Sequence, residues 1–158
     1  MTDNNPLLAP WTAPFGVPPF DRILPEHFVP AFEHAMRAHR DEVAAIGADP
    51  APPDFANTIE AMQRSGRLLG QVSMGVSNLV VSLGSDPLQA LDREMSPRLA
   101  QHRMAVALDP ALFQRVDALH ARRDSLGLDP EQLRLLERAH LNFVRSGAAR
   151  RSSDVPGR

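Results

Sequence analysis

Two Asp-Pro dipeptides, at residues 109–110 and 129–130, constrain the fold of this chain more than any other feature. In each, the Asp carboxylate can accept from backbone N–H groups of a first helical turn, and the following Pro has no N–H to leave unpaired. Between the two starts, Gly127 has the freedom to adopt a positive φ as a helix C-cap. The stretch from Asp109 to Ala148 is therefore predicted to form a hairpin of two helices.

Apolar residues at helical spacing indicate three further helices upstream. They are predicted at about residues 25–46, 57–83 and 86–108, and no segment shows the sustained alternation of a strand. We therefore expect an all-α fold of about five antiparallel helices with short connections. The residues expected on the buried faces are, helix by helix, Phe28, Phe32, Met36, His39, Val43 and Ile46; Ile59, Met62, Leu69, Val72, Val76, Leu79 and Leu83; Leu88, Leu91, Met95, Leu99, His102 and Val106; Leu112, Val116, Leu119 and Arg123; and Leu133, Leu136, His140, Phe143 and Val144.

The predicted second helix contains both a start signal and weak points. Asn57 is a plausible N-cap, because Glu60 three residues later completes a pattern similar to a capping box. Gly66, Gly70 and Gly75 each weaken a helix by about 1 kcal/mol relative to Ala. We expect these glycines to allow either the close approach of a neighbouring helix or a local bend.

Prolines limit helix formation elsewhere in the chain. Six prolines within residues 1–25 rule out a continuous helix there, so this segment is predicted to be an extended arm. Its large apolar residues, with Trp11, Phe15 and Phe20 among them, are expected to be buried against the helices. Pro97 lies in the middle of the third helix and predicts either a kink or two shorter helices.

The chain divides into three regions on this interpretation. Residues 1–25 form the arm packed on the helices, and residues 26–147 form the helical region. Residues 148–158 have no apolar stripe, and they contain paired arginines, paired serines and a proline. They are predicted to be a disordered tail.

Composition excludes several classes of protein. The chain has 158 residues and 43% hydrophobic content, which suffices for one domain with a core. The net charge of −2 provides no field for nucleic acid, and the lack of Cys excludes disulfides, thiolate metal sites and a cysteine nucleophile. The most apolar run, residues 68–83, is interrupted by polar residues and is too short to span a membrane. No signal peptide is recognisable, so a cytoplasmic protein without nucleic-acid or membrane partners is expected.

The six histidines do not form a recognisable metal motif. His34 and His39 are five residues apart, which on a helix places them about 140° apart, so they cannot share one ion. Glu26-His27 and Glu33-His34 have the zinc-protease residues in the wrong order, and His-Glu-x-x-His is absent. Nearby carboxylates fall on different helix faces.

Other polar residues give equally weak signals. Arg122-Arg123 and Arg150-Arg151 are candidates for an anion site, although solvated charge explains them more simply. Ser77 and Asn78 inside the second helix are candidates for buried polar contacts. From the residues alone, the chain has no identifiable catalytic, cofactor-binding or metal-binding residue.

The sequence nevertheless resembles a known family, the thimet oligopeptidase-like zinc metallopeptidases, in their N-terminal region. The resemblance is closest to the bacterial peptidyl-dipeptidase (dipeptidyl carboxypeptidase) and oligopeptidase A branch. It covers roughly residues 5–148, and the last piece is the most specific. The matching segments are NPLL at 5–8, PPFDRILPEHFVPAFEHAM at 18–36, FANTIEAMQRSG at 55–66, SPRLAQHR at 96–103 and LFQRVDALHARRDSLGLDPEQLRLLERAHLNFVRSGA at 112–148.

The resemblance implies a larger, mostly helical enzyme that hydrolyses short peptides, with release of C-terminal dipeptides in this branch. Zinc in the family is held by a His-Glu-x-x-His helix and a distal Glu, none of which has a counterpart here. The helical N-terminal region would form one wall of a channel that admits short peptides.

The sequence departs from the family pattern after Ala148, so we expect a truncated product that is inactive alone. We also expect that it binds no zinc itself and that it self-associates through exposed apolar faces. The alternative is a freestanding helical module that binds peptides or a protein.

Overall fold

The computed structural model describes residues 5–12, 14–83 and 86–148. Within those ranges the chain forms five α-helices of twelve or more residues and no β-strand, so the all-α prediction is confirmed. The α-helices are α1 (Phe28–Gly47), the short α2 (Ala61–Arg64), α3 (Arg67–Leu83), α4 (Asp86–Ala107), α5 (Pro110–Ala121) and α6 (Pro130–Ser146). A π-helix spans Phe55–Glu60, and 3₁₀-helices span Pro14–Gly16, Phe20–Arg22, Pro25–His27 and Arg123–Ser125.

The helices belong to two compact units, each with its own buried core. Unit 1 comprises Met1–Arg40 and Gly66–Gln101, and unit 2 comprises Asp41–Ser65 and His102–Arg158. The sequence boundaries of the units fall inside α1, between α2 and α3, and inside α4. The predictions for the tail beyond Ala148 and for the side chain of Leu83 lie outside the described residues. Ala148 itself is fully buried in the core of unit 2.

The core of unit 1 consists mainly of the stripes predicted for three helices. It contains Phe28, Phe32 and Met36 from α1, Val72 and Val76 from α3, and Leu88, Leu91 and Met95 from α4. Burial of a side chain of this size contributes about 1.5–3 kcal/mol, so these stripes account for much of the stability of the unit.

The N-terminal arm is anchored to unit 1 through Leu7, whose side chain is fully buried. The side-chain amide of Gln71 donates to the carbonyl oxygens of Leu7 and Ala9 at 3.0 and 3.1 Å. A Cβ atom on Gly75 would lie 3.2 Å from Leu7 and 3.4 Å from the Trp11 ring. The close approach expected at Gly75 is therefore made by the arm and not by a helix.

The prediction that the aromatic residues of the arm are buried is wrong for Phe15 and Phe20. The Phe15 side chain is 104% exposed and its backbone has a φ of 62°, and Phe20 is 39% exposed. Trp11 is half-buried, and its Nε1 donates to the Pro6 carbonyl at 3.2 Å. Short 3₁₀ turns and the fixed φ of proline set the side-chain directions here, so apolarity alone does not decide burial.

Gly66 interrupts the predicted second helix. Its φ of 71° lies in the left-handed region, and a Cβ atom there would stand 3.1 Å from the His39 ring. The predicted local bend is thus confirmed at Gly66, after which α3 begins. Gly70 has nothing within 4 Å of its Cβ position, so it makes no close contact.

The first part of the second helix starts earlier than predicted, because its N-cap is Asp54 and not Asn57. The Asp54 carboxylate accepts from the Asn57 N–H at 2.6 Å, and the Asn57 side-chain oxygen accepts from the Asp54 N–H at 2.9 Å. This reciprocal pair satisfies two N–H groups at once. Asn57 therefore acts as the third helical residue of a capping box.

Helix α4 runs without a break through Pro97, so the alternative of two shorter helices is wrong. A proline inside a helix costs about 3 kcal/mol, since the carbonyl four residues earlier loses its donor. Pro97 is exposed, so water can satisfy that carbonyl. Leu91 and Met95 before it are buried and Leu99 after it is partly buried, and this packing offsets the cost.

The predicted hairpin of α5 and α6 is confirmed. Asp109 accepts from the Leu112 N–H at 2.8 Å, and Asp129 accepts from two N–H groups in a capping box. The rings of Phe113 and Phe143, from the start of α5 and the end of α6, lie 6.0 Å apart, so the helices are antiparallel.

The end of α5 differs from the prediction. The helix ends at Ala121, and its C-cap is Arg122 with a φ of −114°. Gly127 does adopt a positive φ, 64°, but it follows the 3₁₀-helix Arg123–Ser125. The extra 3₁₀ turn therefore displaces the glycine from the α-helix end to the end of the connection.

Candidate functional site

Two of the histidines identified in the sequence, His120 and His140, stack on each other. His34 is exposed, His102 is buried, and His27 uses its Nδ1 to accept from the Leu24 N–H at 3.0 Å. In residues 5–12, 14–83 and 86–148, no three His, Asp or Glu side chains are arranged to hold a metal ion. The described residues therefore do not fit the zinc site that the family resemblance implies.

This histidine pair, His120 and His140, lies on the α5–α6 hairpin. Their rings are stacked with centroids 3.9 Å apart and planes within 1° of parallel. Nε2 of His140 lies 3.0 Å from a carboxylate oxygen of Asp117, and the His140 ring also stacks against Phe113 with centroids 6.1 Å apart. Because imidazole lone pairs lie in the ring plane, parallel stacked rings do not direct them at one shared ion.

Burial lowers the pKa of His120, and the positive charges of His140 and Arg123 lower it further. The carboxylates of Asp117 and Glu137 act in the opposite direction. The lowered pKa of His120 favours its neutral form in the stacked arrangement. It has no neighbouring Ser, Thr or Cys nucleophile among its described contacts, and its chemistry is that of a pH-sensitive contact between two helices.

The most extensive polar cluster in unit 2 surrounds Arg115, which is only 6% exposed. Its Nε donates to Thr58 Oγ1 at 3.3 Å, and its Nη1 donates to the carbonyl oxygens of Asp49 and Ala51 at 2.8 and 3.2 Å. Its Nη2 donates to Asn57 Oδ1 at 2.9 Å and lies 3.5 Å from Asp49 Oδ2. Four of the five guanidinium N–H groups donate to these acceptors, and the nearby Asp49 carboxylate balances the charge.

Arg115 was missed by sequence reasoning, although a signal for it exists. Residues 112, 115 and 119 follow helical spacing, which places Arg115 on the buried face beside Leu112 and Leu119. A charged residue at such a position must be paired when buried. The sequence does not identify its acceptors, because all of them lie more than 50 residues earlier in the chain and two of them are backbone carbonyls.

The candidate anion site at Arg122-Arg123 is occupied by the protein itself. Arg122 donates to the Pro53 carbonyl, and Arg123 donates to the His120 carbonyl at 3.0 Å. Arg115 and Arg122 thus bind the carbonyls of alternate residues, 49, 51 and 53, in the proline-rich loop at residues 49–53. The other candidate, Arg150-Arg151, lies outside the described residues.

Unit 1 contains a cavity of about 190 Å³ lined by α1, α3 and α4. Ser77 lies at its edge and is exposed, as is Asn78, so the prediction of buried polar contacts at these two residues is wrong. Their positions on α3 face away from the apolar stripe that Val72 and Val76 define. The lining consists of Phe32, Val76, Leu91, Met95 and Leu99, with Ser73, Ser77 and Asp92 as its polar members.

Carboxylates near this cavity are engaged locally. Glu33 of α1 and Glu94 of α4 both form ion pairs with Arg98, while Asp92 accepts from the Ser96 hydroxyl at 3.3 Å. This arrangement does not provide a pair of carboxylates for general acid–base catalysis.

No helix within the described ranges is both long and apolar enough to cross a membrane.

Comparison with known proteins reveals several relatives. The chain is 43% identical over 154 residues to dipeptidyl carboxypeptidase of Escherichia coli strain K12, which covers 98% of the chain and 23% of the relative. It is 43% identical over 145 residues to dipeptidyl carboxypeptidase of Salmonella typhimurium, which covers 92% of the chain and 21% of the relative. Oligopeptidase A of E. coli is 29% identical over 144 residues, covering 91% of the chain and 21% of the relative. No protein-family model matches the chain.

These matches have two further properties. The chain spans only 21–23% of the length of the relatives. The first match covers 98% of the chain, so the similarity extends beyond residues 5–148, the range expected from the sequence resemblance. The matched part includes the hairpin and the Arg115 cluster. The chain is thus homologous to a segment of the dipeptidyl carboxypeptidase and oligopeptidase A family, a segment that makes up about a fifth of each of these relatives.

Proposed function

We propose that this chain is the helical N-terminal part of a zinc-dependent oligopeptidase, closest to the peptidyl-dipeptidases that release dipeptides from free peptide C-termini. The observation that carries the proposal is the 43% identity to dipeptidyl carboxypeptidase over 98% of the chain. Short peptides are the proposed substrates of the whole enzyme. The described residues do not fit a zinc site, so the proposal assigns zinc binding and hydrolysis to residues outside them.

The proposed role of this part is structural: it forms a wall of the channel that holds the peptide. Two features support a rigid wall. Each unit has a core of buried apolar side chains, and Arg115 fastens the 49–53 loop to α5 through hydrogen bonds. A hydrogen-bonded buried guanidinium keeps backbone segments in register, which a channel wall requires.

A chimera tests this proposal. In it, the matching segment of a dipeptidyl carboxypeptidase is replaced by this chain, and dipeptide release from a C-terminally free peptide is measured. The chimera is expected to retain dipeptide release that a chelator abolishes. Arg115→Ala in the chimera should lower activity and thermal stability together, whereas Arg64→Ala, at an exposed site, should leave both unchanged. A folded but inactive wild-type chimera would contradict the proposal.

The purified chain provides the complementary measurement. With added zinc it is expected to release no dipeptides from short peptides. Chelator-sensitive cleavage by the chain alone would show that it contains its own catalytic site.

The second candidate function is a freestanding helical module that binds peptides or a partner protein without cleaving them. The observation that favours it is that both units bury their own cores within the described residues. A monodisperse monomer that melts cooperatively would support this function. Association is expected instead for a fragment, because Met74, Met104, Leu141 and Val144 each expose at least 42% of their surface. The cytoplasmic location stays a prediction.

A further inference from the structure

We propose that the cavity of unit 1 binds a small apolar group that carries a primary ammonium, with Asp92 as the partner of the ammonium. The apolar floor is formed by Phe32, Val76, Leu91 and Met95, which are 3%, 6%, 8% and 2% exposed. Asp92 lies on the α4 edge of the cavity. Ser73 and Ser77, one turn apart, lie on the α3 edge.

The volume of the cavity limits the size of the ligand. Pockets for drug-sized molecules measure about 300–1,000 Å³, whereas an apolar cavity of roughly 150 Å³ accepts benzene. At about 190 Å³, this cavity fits one group of the size of a leucine or phenylalanine side chain. The apolar floor favours a branched hydrocarbon or a ring over a polar group.

The negative charge of Asp92 at the edge of the cavity favours a positively charged ligand. Ser96 donates to one carboxylate oxygen of Asp92 at 3.3 Å, and no Arg or His of the described residues pairs with this carboxylate. The nearby cation Arg98, which touches the Met95 sulfur at 3.7 Å, is neutralised by Glu33 and Glu94. A carboxylate without a cationic partner at the edge of an apolar cavity favours a cationic donor and disfavours an anion.

Three probes of equal carbon skeleton test the proposal on the full chain: isopentylamine, isopentanol and isovalerate. Methyl NMR signals of Leu91 and Met95 report occupancy during each titration. The amine is expected to bind with a dissociation constant on the order of millimolar, given its few heavy atoms. The alcohol should bind roughly tenfold more weakly, and isovalerate more weakly still. Equal binding of amine and alcohol, or no saturable binding of the amine, would overturn the proposal.

Three variants separate the role of Asp92 from general effects of charge and folding. Asp92→Asn should weaken amine binding roughly tenfold and leave alcohol binding unchanged. Asp86→Asn, at an exposed position in the first turn of the same helix and outside the cavity lining, is the matched control and should bind the amine like the wild type. Ser77→Phe, at an exposed edge position, should block all three probes while the melting temperature stays close to that of the wild type. Wild-type amine affinity in Asp92→Asn, or an equal loss in Asp86→Asn, would overturn the role of Asp92.

The ammonium could come from a peptide N-terminus or from a lysine side chain, and two further ligands distinguish these sources. Preferential binding of Leu-Gly-Gly would assign a peptide N-terminus, and preferential binding of Nα-acetyl-lysinamide would assign a lysine side chain. N-acetylated Leu-Gly-Gly must bind more weakly than the free peptide in the first case. If the acetylated peptide binds as tightly as the free one, a free amine is not recognised and the proposal is wrong.

Discussion

Nε of Arg115 donates to the hydroxyl of Thr58 at 3.3 Å, and both side chains are buried. The same hydroxyl donates to Asn57 Oδ1 at 2.9 Å, so Thr58 links the guanidinium to the capping box at the start of the π-helix. Helix α5 thereby holds the start of the π-helix Phe55–Glu60 through two residues that are 57 positions apart in the chain. This hydrogen bond joins two segments of unit 2 through buried polar groups that have partners.

Arg115→Ala is expected to destabilise the chain by about 3 kcal/mol, because it leaves buried carbonyl and hydroxyl groups without donors. Arg115→Lys should restore only part of this loss, since an ammonium cannot reproduce the planar fork of a guanidinium. The free energy of unfolding in urea is the measurement. Arg64→Ala, which removes an exposed ion pair with Glu60, should change it by less than about 0.5 kcal/mol. Wild-type stability in Arg115→Lys would contradict the conclusion that the several hydrogen bonds of the guanidinium stabilise this cluster.

The two glycines at the start of α3 are expected to respond in opposite directions to the same substitution. Gly66→Ala should destabilise by about 1–2 kcal/mol, because its φ is 71° and the new methyl group meets His39 at 3.1 Å. Gly70→Ala should stabilise by about 0.5–1 kcal/mol, because Gly70 is helical and its Cβ position is open. Thermal melting of the two variants side by side provides the check. A loss of stability in both would mean that the break at Gly66 is not the cause.

Stability of the chain is expected to fall on mild acidification through His120. Burial and the neighbouring cations lower the pKa of His120 in the folded state, so the unfolded chain binds a proton more readily. The contribution is complete above the unfolded value of about 6.5 and is lost as the pH falls through the lower, folded pKa.

The measurement for this prediction is the urea midpoint between pH 5 and pH 8. His120→Gln should flatten the profile in this range, since Gln does not titrate. His34→Gln, at an exposed position outside the hairpin, serves as the control and should keep the slope of the wild type. A slope that persists unchanged in His120→Gln would rule out His120 as its source.

Asp129→Ala is expected to cost about 1 kcal/mol, because the carboxylate caps two N–H groups at the start of α6. Asp129→Asn should retain most of the stability, as an amide oxygen can still accept. The cost should appear as a lower urea midpoint with an unchanged slope. If Asp129→Asn proves as damaging as Asp129→Ala, charge and not the hydrogen bonds holds this helix start.

Local signals in the sequence predicted most of the helices correctly. The helix starts at Asp109-Pro110 and Asp129-Pro130 could be predicted because their capping hydrogen bonds form within one turn. The buried stripes of α1 and α4 could be predicted from the helical spacing of apolar residues alone. The bend at Gly66 was also foreseen as one of two alternatives. The N-cap at Asp54 was missed, because Asn57 is an equally good capping residue in composition, and only geometry decides which of two such residues precedes the first turn.

The sequence by itself determined the all-α class, the N-caps of the hairpin at Asp109 and Asp129, and the similarity to dipeptidyl carboxypeptidase. The first two depend on residues close together in the chain, and the third depends on a long stretch of matching sequence. Only the tertiary structure decided that Arg115 donates to groups far away in the chain, that His120 and His140 stack, and that Phe15 is exposed to solvent. The physical reason is that hydrogen bonds to backbone carbonyls and ring stacking depend on distances between segments far apart in the chain. Residue type does not encode those distances. The spacing of apolar residues also does not predict that a charged residue such as Arg115 is buried and paired.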